Sequence, residues 1–218
     1  MTVGAFSFSA PSMAQQVEQL YPLADDDGHP VSNERIPSEL DPMNLPGLLW
    51  AGSAGPDVIV FEFFDYNCPF CRKASVDIDN IIQNNPDFRL ALVNNPILAP
   101  GSIEAARVQQ AVLRAYGPGR AYEFHKRLFA IHGVADRASA LGVAADMQLD
   151  STLVTAGAVD SHVLNAVDLQ TRRAADLSFS ATPSFALDGA GILGWPGAKS
   201  LSAMIAASRR CDRPACSG

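Results

Sequence analysis

One stretch constrains this chain more than any other: Phe61-Glu62-Phe63-Phe64-Asp65-Tyr66-Asn67-Cys68-Pro69-Phe70-Cys71. An apolar, aromatic run ends in a C-x-x-C pair, and an amphipathic segment from Arg72 to Ile82 follows. That order reads as strand, short turn, helix, with Cys68 where the helix begins. Pro69 suits the first helical turn, where its missing N–H would have no partner. The unpaired N–H groups and partial positive charge of that turn favour a thiolate on Cys68, with a pKa of about 4 to 6. Cys71 lies three residues on, on the same helical face and within reach of Cys68. The layout suits thiol–disulfide exchange.

C-x-x-C also occurs in haem attachment sites and zinc ribbons. A c-type haem site needs His after the second cysteine, and Arg72 stands there. A structural zinc site needs a second pair; Cys211 and Cys216 are at the far C-terminus with a wider spacing. A soft-metal reading, Cu(I) or zinc on Cys68 and Cys71, remains the alternative of a different class, although no methionine or histidine lies nearby in sequence. No metal is expected, nor a bound cofactor, because a cysteine pair carries the electrons itself.

The stretch Val60 to Cys71 resembles the active-site segment of DsbA-like thiol:disulfide oxidoreductases. The likeness runs from about Val58 to Ala207. It rests on Cys68-Pro69-Phe70-Cys71, on Glu62 six residues before the first cysteine, on Ala121-Tyr122-Glu123-Phe124-His125 in a long helical stretch, and on Ala181-Thr182-Pro183-Ser184-Phe185. The resemblance implies an α/β, thioredoxin-like fold with an inserted α-helical domain. It implies a buried Glu62 beneath the disulfide, shuttling the proton of Cys71, and a cis Pro183 facing the cysteines. Thr182, Pro183 and Phe70 are then the expected substrate-binding residues, with the Thr182 backbone pairing an extended client. Phe64, Tyr66, Phe70 and Trp195 are candidates for an apolar rim, with core packing the default for Phe64. Cys68 is the expected nucleophile at the exposed helix end, and Cys71 the buried, resolving thiol.

The dipeptide between the cysteines is Pro-Phe, where the best-known DsbA pattern has Pro-His. Phenylalanine adds no positive potential near the thiolate. A potential between the ~−120 mV of DsbA and the ~−270 mV of thioredoxin follows, on the oxidising side of the midpoint. The family branch sharing this dipeptide includes isomerases, so isomerase or reductase stands as the alternative to oxidase.

The chain has 218 residues, with 16 basic against 23 acidic side chains and a net charge of −7. That balance argues against nucleic acid and anionic membranes as partners. No apolar run approaches the ~18 residues needed to span a bilayer. Cysteine-containing client proteins and a membrane redox partner are expected, and oligomeric state is left open. Four cysteines in two close pairs suggest an oxidising compartment, periplasmic or otherwise exported. Ser12-Met13-Ala14 places small residues before a possible cleavage after Ala14, although no Lys or Arg precedes Arg35.

The expected domain plan is an N-terminal extension over 1–47, a DsbA-like domain over 48–210 with a helical insertion at about 102–179, and a C-terminal tail over 211–218. In that tail Cys211 and Cys216 are expected to form a structural disulfide. Strands are predicted at 58–64, 88–94, 184–187 and 192–193. Helices are predicted at 15–23, 69–83, 103–116, 120–132, 136–147, 151–157, 161–177 and 200–208. Asp25-Asp26-Asp27-Gly28-His29 reads as a solvated acidic turn, and His125 and His132 as helix-surface or packing residues.

Overall fold

The computed structural model describes residues 19–216. The signal-like segment around Ala14 lies outside them. A six-stranded sheet is ordered β1 (Asn33–Arg35), β6 (Ala190–Leu193), β5 (Ser184–Leu187), β3 (Val58–Phe64), β4 (Phe88–Asn94), β2 (Leu49–Gly52). Only β3 and β4 run parallel, and helix α1 (Pro69–Asn84) crosses between them. The chain then builds helices α2 (Pro100–Ala130), α3 (Arg137–Asp146), α4 (Ser151–Gly157) and α5 (Ser161–Asp176), returns through the β5–β6 hairpin, and closes with α6 (Ala198–Cys211).

Strand β3 is buried on both faces, and its period of two sorts its side chains. Val58, Val60 and Phe64 face the core that also holds Cys71, Ala74 and Ile78 of α1. Phe61 and Phe63 face the opposite core with Leu45, Leu48 and Phe179. Glu62, between Val60 and Phe64, therefore belongs to the face covered by α1. Helix α1 buries Cys71, Ala74, Ser75, Ile78 and Ile81, a helical stripe, and ends at Asn85 ahead of Pro86.

Several elements differ from the sequence expectation. Residues 19–23 are not helical: Pro22 interrupts them, and Gln19 bridges to Asn33. The stretch read as an extension without core elements supplies edge strand β1, and Leu23, Val31, Ile36 and Leu45 are buried in the two cores. Asp26, read as part of a solvated turn, accepts from Lys199 N at 3.2 Å and Ser200 N at 2.8 Å, capping α6 from outside the helix. Edge strand β2 was invisible as a short apolar run after Pro46.

The break expected at Gly117 is present: α2 is two helices in sequence, parted where Gly117 (φ 80°) leaves helical geometry before Pro118. Helix α2 begins earlier than predicted, at Pro100, which places Ser102 inside its first turn with the hydroxyl available for other bonds. Aspartates cap the remaining insert helices: Asp136, Asp150 and Asp160 accept from Ser139 N, Leu153 N and His162 N. The β5–β6 turn is tighter than predicted, two residues with positive φ at Asp188 (47°) and Gly189 (71°), so β6 starts at Ala190.

Candidate active site

Cys68 is the N-cap of α1, and its Sγ accepts the N–H of Cys71 at 3.3 Å. Across the site the Thr182–Pro183 peptide is cis, and the Cys68 thiol lies 2.9 Å from the Thr182 carbonyl oxygen, to which it donates. This contact corrects one expectation: Cys68 is only 2% exposed, because the Thr182 loop covers the helix end. Cys71 is fully buried, and the two cysteines are unbonded thiols.

Electrostatics separate the two sulfurs. The adjacent Cys71 side chain, with Thr182 and the N–H groups of Cys71 and Phe70, lowers Cys68 to about 6, against an opposing effect of burial. Burial pushes the Cys71 thiol up, and the neighbouring Cys68 and Glu62 push it further. Glu62 is 1% exposed and its Oε1 has no hydrogen-bond partner. Burial, with a smaller effect of the Cys68 charge, raises its carboxyl to about 8. Above about pH 6 Cys68 gives up the proton it shares with Thr182 and becomes a thiolate, beside the Cys71 thiol and the protonated Glu62 carboxyl.

The expected apolar rim is smaller than four side chains. Phe70 is 62% exposed on the first turn of α1. Phe64 and Tyr66 are buried instead, in an aromatic cluster with His125 and Phe129. Trp195 is half-buried and packs on Phe185 at 5.9 Å between ring centroids. Cys211 and Cys216 are joined by a disulfide with a Cα–Cα distance of 6.0 Å. Arg209, near that bond, pairs with Asp57 ahead of β3, at the end of the strand away from Cys68. The one cluster of three potential metal ligands among the described residues, Asp25, Asp27 and His29, includes neither active-site cysteine.

Sequence reasoning missed the polar residues beside the motif. Asp65 is buried and accepts from Asn67 N (2.8 Å), Leu98 N (2.8 Å) and Ser102 Oγ (2.7 Å). His125 is buried, in keeping with the packing alternative, with Nδ1 3.1 Å from the Tyr66 hydroxyl. Burial, with a lesser effect of Lys126, lowers His125 to about 3 and keeps it neutral. The available signal was two polar residues, Asp65 and Asn67, within an otherwise apolar approach to Cys68.

The DSBA-like thioredoxin domain matches residues 59–207, which contain the cysteine pair, Glu62, the insert and the Thr182–Pro183 loop. The chain belongs to the DsbA-like family. Among solved structures, this DsbA-like chain is similar to a thioredoxin-like oxidoreductase from Silicibacter pomeroyi, at 30% identity over 77% of this chain and 95% of that one, TM-score 0.72. The fold is also shared with the thiol-disulfide exchange protein alpha-DsbA2 of Wolbachia pipientis, at 20% identity over 75% and 87% of the two chains, TM-score 0.68. A curated relative, the Na(+)/H(+) antiporter NhaA of Herminiimonas arsenicoxydans, is 26% identical over 74% of this chain. The chain spans about a quarter of that relative's length, 26%.

Proposed function

We propose that the chain is an exported oxidase of protein thiols, using Cys68 and Cys71 to form disulfides in client proteins. The observation that carries the reading is Cys68 at the N-cap of α1, its Sγ accepting the Cys71 N–H at 3.3 Å, with Cys71 fully buried; the first sulfur is lowered to about 6 and the second pushed up. A client thiolate attacks Cys68 Sγ of the enzyme disulfide, forming a mixed disulfide and releasing Cys71. Cys71 is a poor thiolate in its buried site, and Glu62, protonated below about 8, supplies the proton it takes. A second client thiolate then attacks the client sulfur of the mixed disulfide. Cys68 leaves as a stabilised thiolate, so two electrons have passed to the enzyme and the client holds a disulfide. In the reverse half-cycle Glu62 first releases its own proton to water and then, as a carboxylate, accepts the Cys71 proton as a membrane redox partner reoxidises the pair.

Phe70, exposed beside Cys68, and the backbone of Thr182 and Pro183 are the proposed client contacts. The Cys211–Cys216 bond supports an oxidising compartment, and no helix among the described residues is long and apolar enough to cross a membrane.

The test is a pair of variants on purified protein with a reduced client. Cys68→Ala should abolish oxidation. Cys71→Ser should leave Cys68 able to engage and should accumulate covalent mixed disulfides. If Cys68→Ala traps clients instead, the roles are reversed. If the native pair reduces or reshuffles client disulfides but never forms them, the oxidase reading gives way to a reductase or isomerase.

A further inference from the structure

The three residues before Cys68 make all their side-chain hydrogen bonds away from the sheet that carries them. Asp65 accepts from Leu98 N, in the lead-in to α2, and from Ser102 Oγ, in its first turn; its remaining bond is from Asn67 N. Tyr66 meets His125 of α2 through its hydroxyl, and its ring packs on Phe129 at 4.9 Å between centroids. Asn67 donates to Ser102 Oγ at 2.9 Å and Ala135 O at 2.8 Å, and accepts from Ala135 N at 2.8 Å. Ala135 lies in the loop between α2 and α3. That loop is pressed onto α2: a side chain at Gly101 would come within 2.9 Å of Asp136 Cβ and 3.0 Å of Ala135 O. On the other side of the motif, the Arg72 guanidinium donates to the carbonyls of Phe129 and Ile131 at the end of α2. The C-x-x-C motif is thus bracketed by bonds to the helical insert.

We propose that Asp65, Tyr66 and Asn67 are positioning residues through which the helical insert holds Cys68 in its contacts with Cys71 N–H and the Thr182 carbonyl. Hydrogen bonds between buried groups are directional, and each partner lost leaves a costly orphan, so this bracket has one low-energy arrangement. A thiolate gains from the Cys71 and Phe70 N–H groups only at the right distance. Shifting the turn by a few tenths of an ångström weakens that gain. The insert then has a chemical role at the redox site in addition to covering it. The titratable groups coupled electrostatically to Cys68 are Glu62 and Cys71, and neither is altered in the decisive variant.

This inference rests on the reading of Cys68 as the reactive thiol, and its test needs no client. Ser102→Ala changes a residue on α2 that touches Asp65 and Asn67 but not the cysteines. In the reduced full chain, Cys68 is titrated by thiolate absorbance, and the pair is equilibrated with glutathione, beside thermal unfolding. Ser102→Ala should raise the acidity midpoint of Cys68 by about half a unit and shift the glutathione equilibrium about threefold toward the disulfide form. Tyr66→Phe, which keeps the ring and loses one hydroxyl, should move both in the same direction. A shift in either variant with the fold intact supports the bracket. Both readouts unmoved in both variants, whatever happens to unfolding, overturn it. Failure of the native protein to oxidise clients would instead strike at the proposed function and leave the Cys68 titration readable.

Discussion

Glu62 shows what one residue decides. It stands on a strand whose neighbours Val60 and Phe64 face the core under α1, so the period of the strand alone carries its carboxyl there. Its folded pKa of about 8 is raised from 4.5, so its effect on stability is nil below about 4.5 and grows as a loss from there up to about 8. The slope is at most about 1.4 kcal/mol per pH unit. Cys68, lowered from 9.0 to about 6, acts the other way in the dithiol form: its contribution is full above 9 and fades as pH falls through 6. In Glu62→Gln the oxidised protein should lose less stability than the native chain between pH 5 and 8, measured by urea unfolding. The same variant should reoxidise more slowly near neutral pH, because an amide cannot take the Cys71 proton. Equal rates at every pH would remove Glu62 from the proton path. Phe70 decides the poise. Phe70→His should lower the Cys68 pKa and make the pair more oxidising, about 30 mV for each pKa unit. A native potential at or below thioredoxin's ~−270 mV, read against glutathione, would end the oxidase reading.

At the scale of elements, α1 and α6 present contrasting ends. Helix α1 carries its own cap, Cys68, and a proline at its first position, and its start was legible from four residues. Helix α6 has no side-chain cap of its own and takes Asp26 from a turn 171 residues upstream of Gly197, the residue at its N-cap. Asp26→Ala should cost about 1 kcal/mol of stability in chemical denaturation, the usual cost of a lost cap, with thiol exchange unchanged. A denaturation midpoint identical to the native chain would mean that the Asp26 contacts with Lys199 and Ser200 contribute nothing. Within α2, Gly117 and Pro118 break the helix where composition predicts, and Val108, Val112, Phe124 and Leu128 of the two halves pack into one core.

At the scale of the molecule, two cores lie on the two faces of one sheet, and the chain before residue 48 contributes to both through Leu23, Val31, Ile36 and Leu45. Deleting residues 19–32 should therefore lower the unfolding midpoint, because Leu23 and Val31 leave the core with them. The Cys211–Cys216 bond closes a short loop near the chain end, worth about 2 kcal/mol by loop entropy. Replacing both cysteines with serine should lower the unfolding midpoint by no more than that and leave client oxidation intact. A large loss of activity at unchanged fold would tie this pair to the chemistry.

The sequence by itself determined what is local. The strand–turn–helix around Cys68, β3 and β4 to the residue, helix α4, and the family that Cys68-Pro69-Phe70-Cys71 and Thr182-Pro183 point to all follow from side chains a few positions apart. Apolar periodicity, caps and proline geometry act over that range. Tertiary structure decided what depends on distant partners: β1 and β2, too short to show a period, exist because Asn33–Arg35 and Leu49–Gly52 find waiting edges on β6 and β4. It also decided the burial of Cys68 beneath Thr182, the burial of His125 against Tyr66, and the bonds from Asp65 and Asn67 to Leu98, Ser102 and Ala135. Hydrogen bonds between residues 30 to 114 positions apart leave no period in a sequence, because only the folded sheet and insert bring donor and acceptor together.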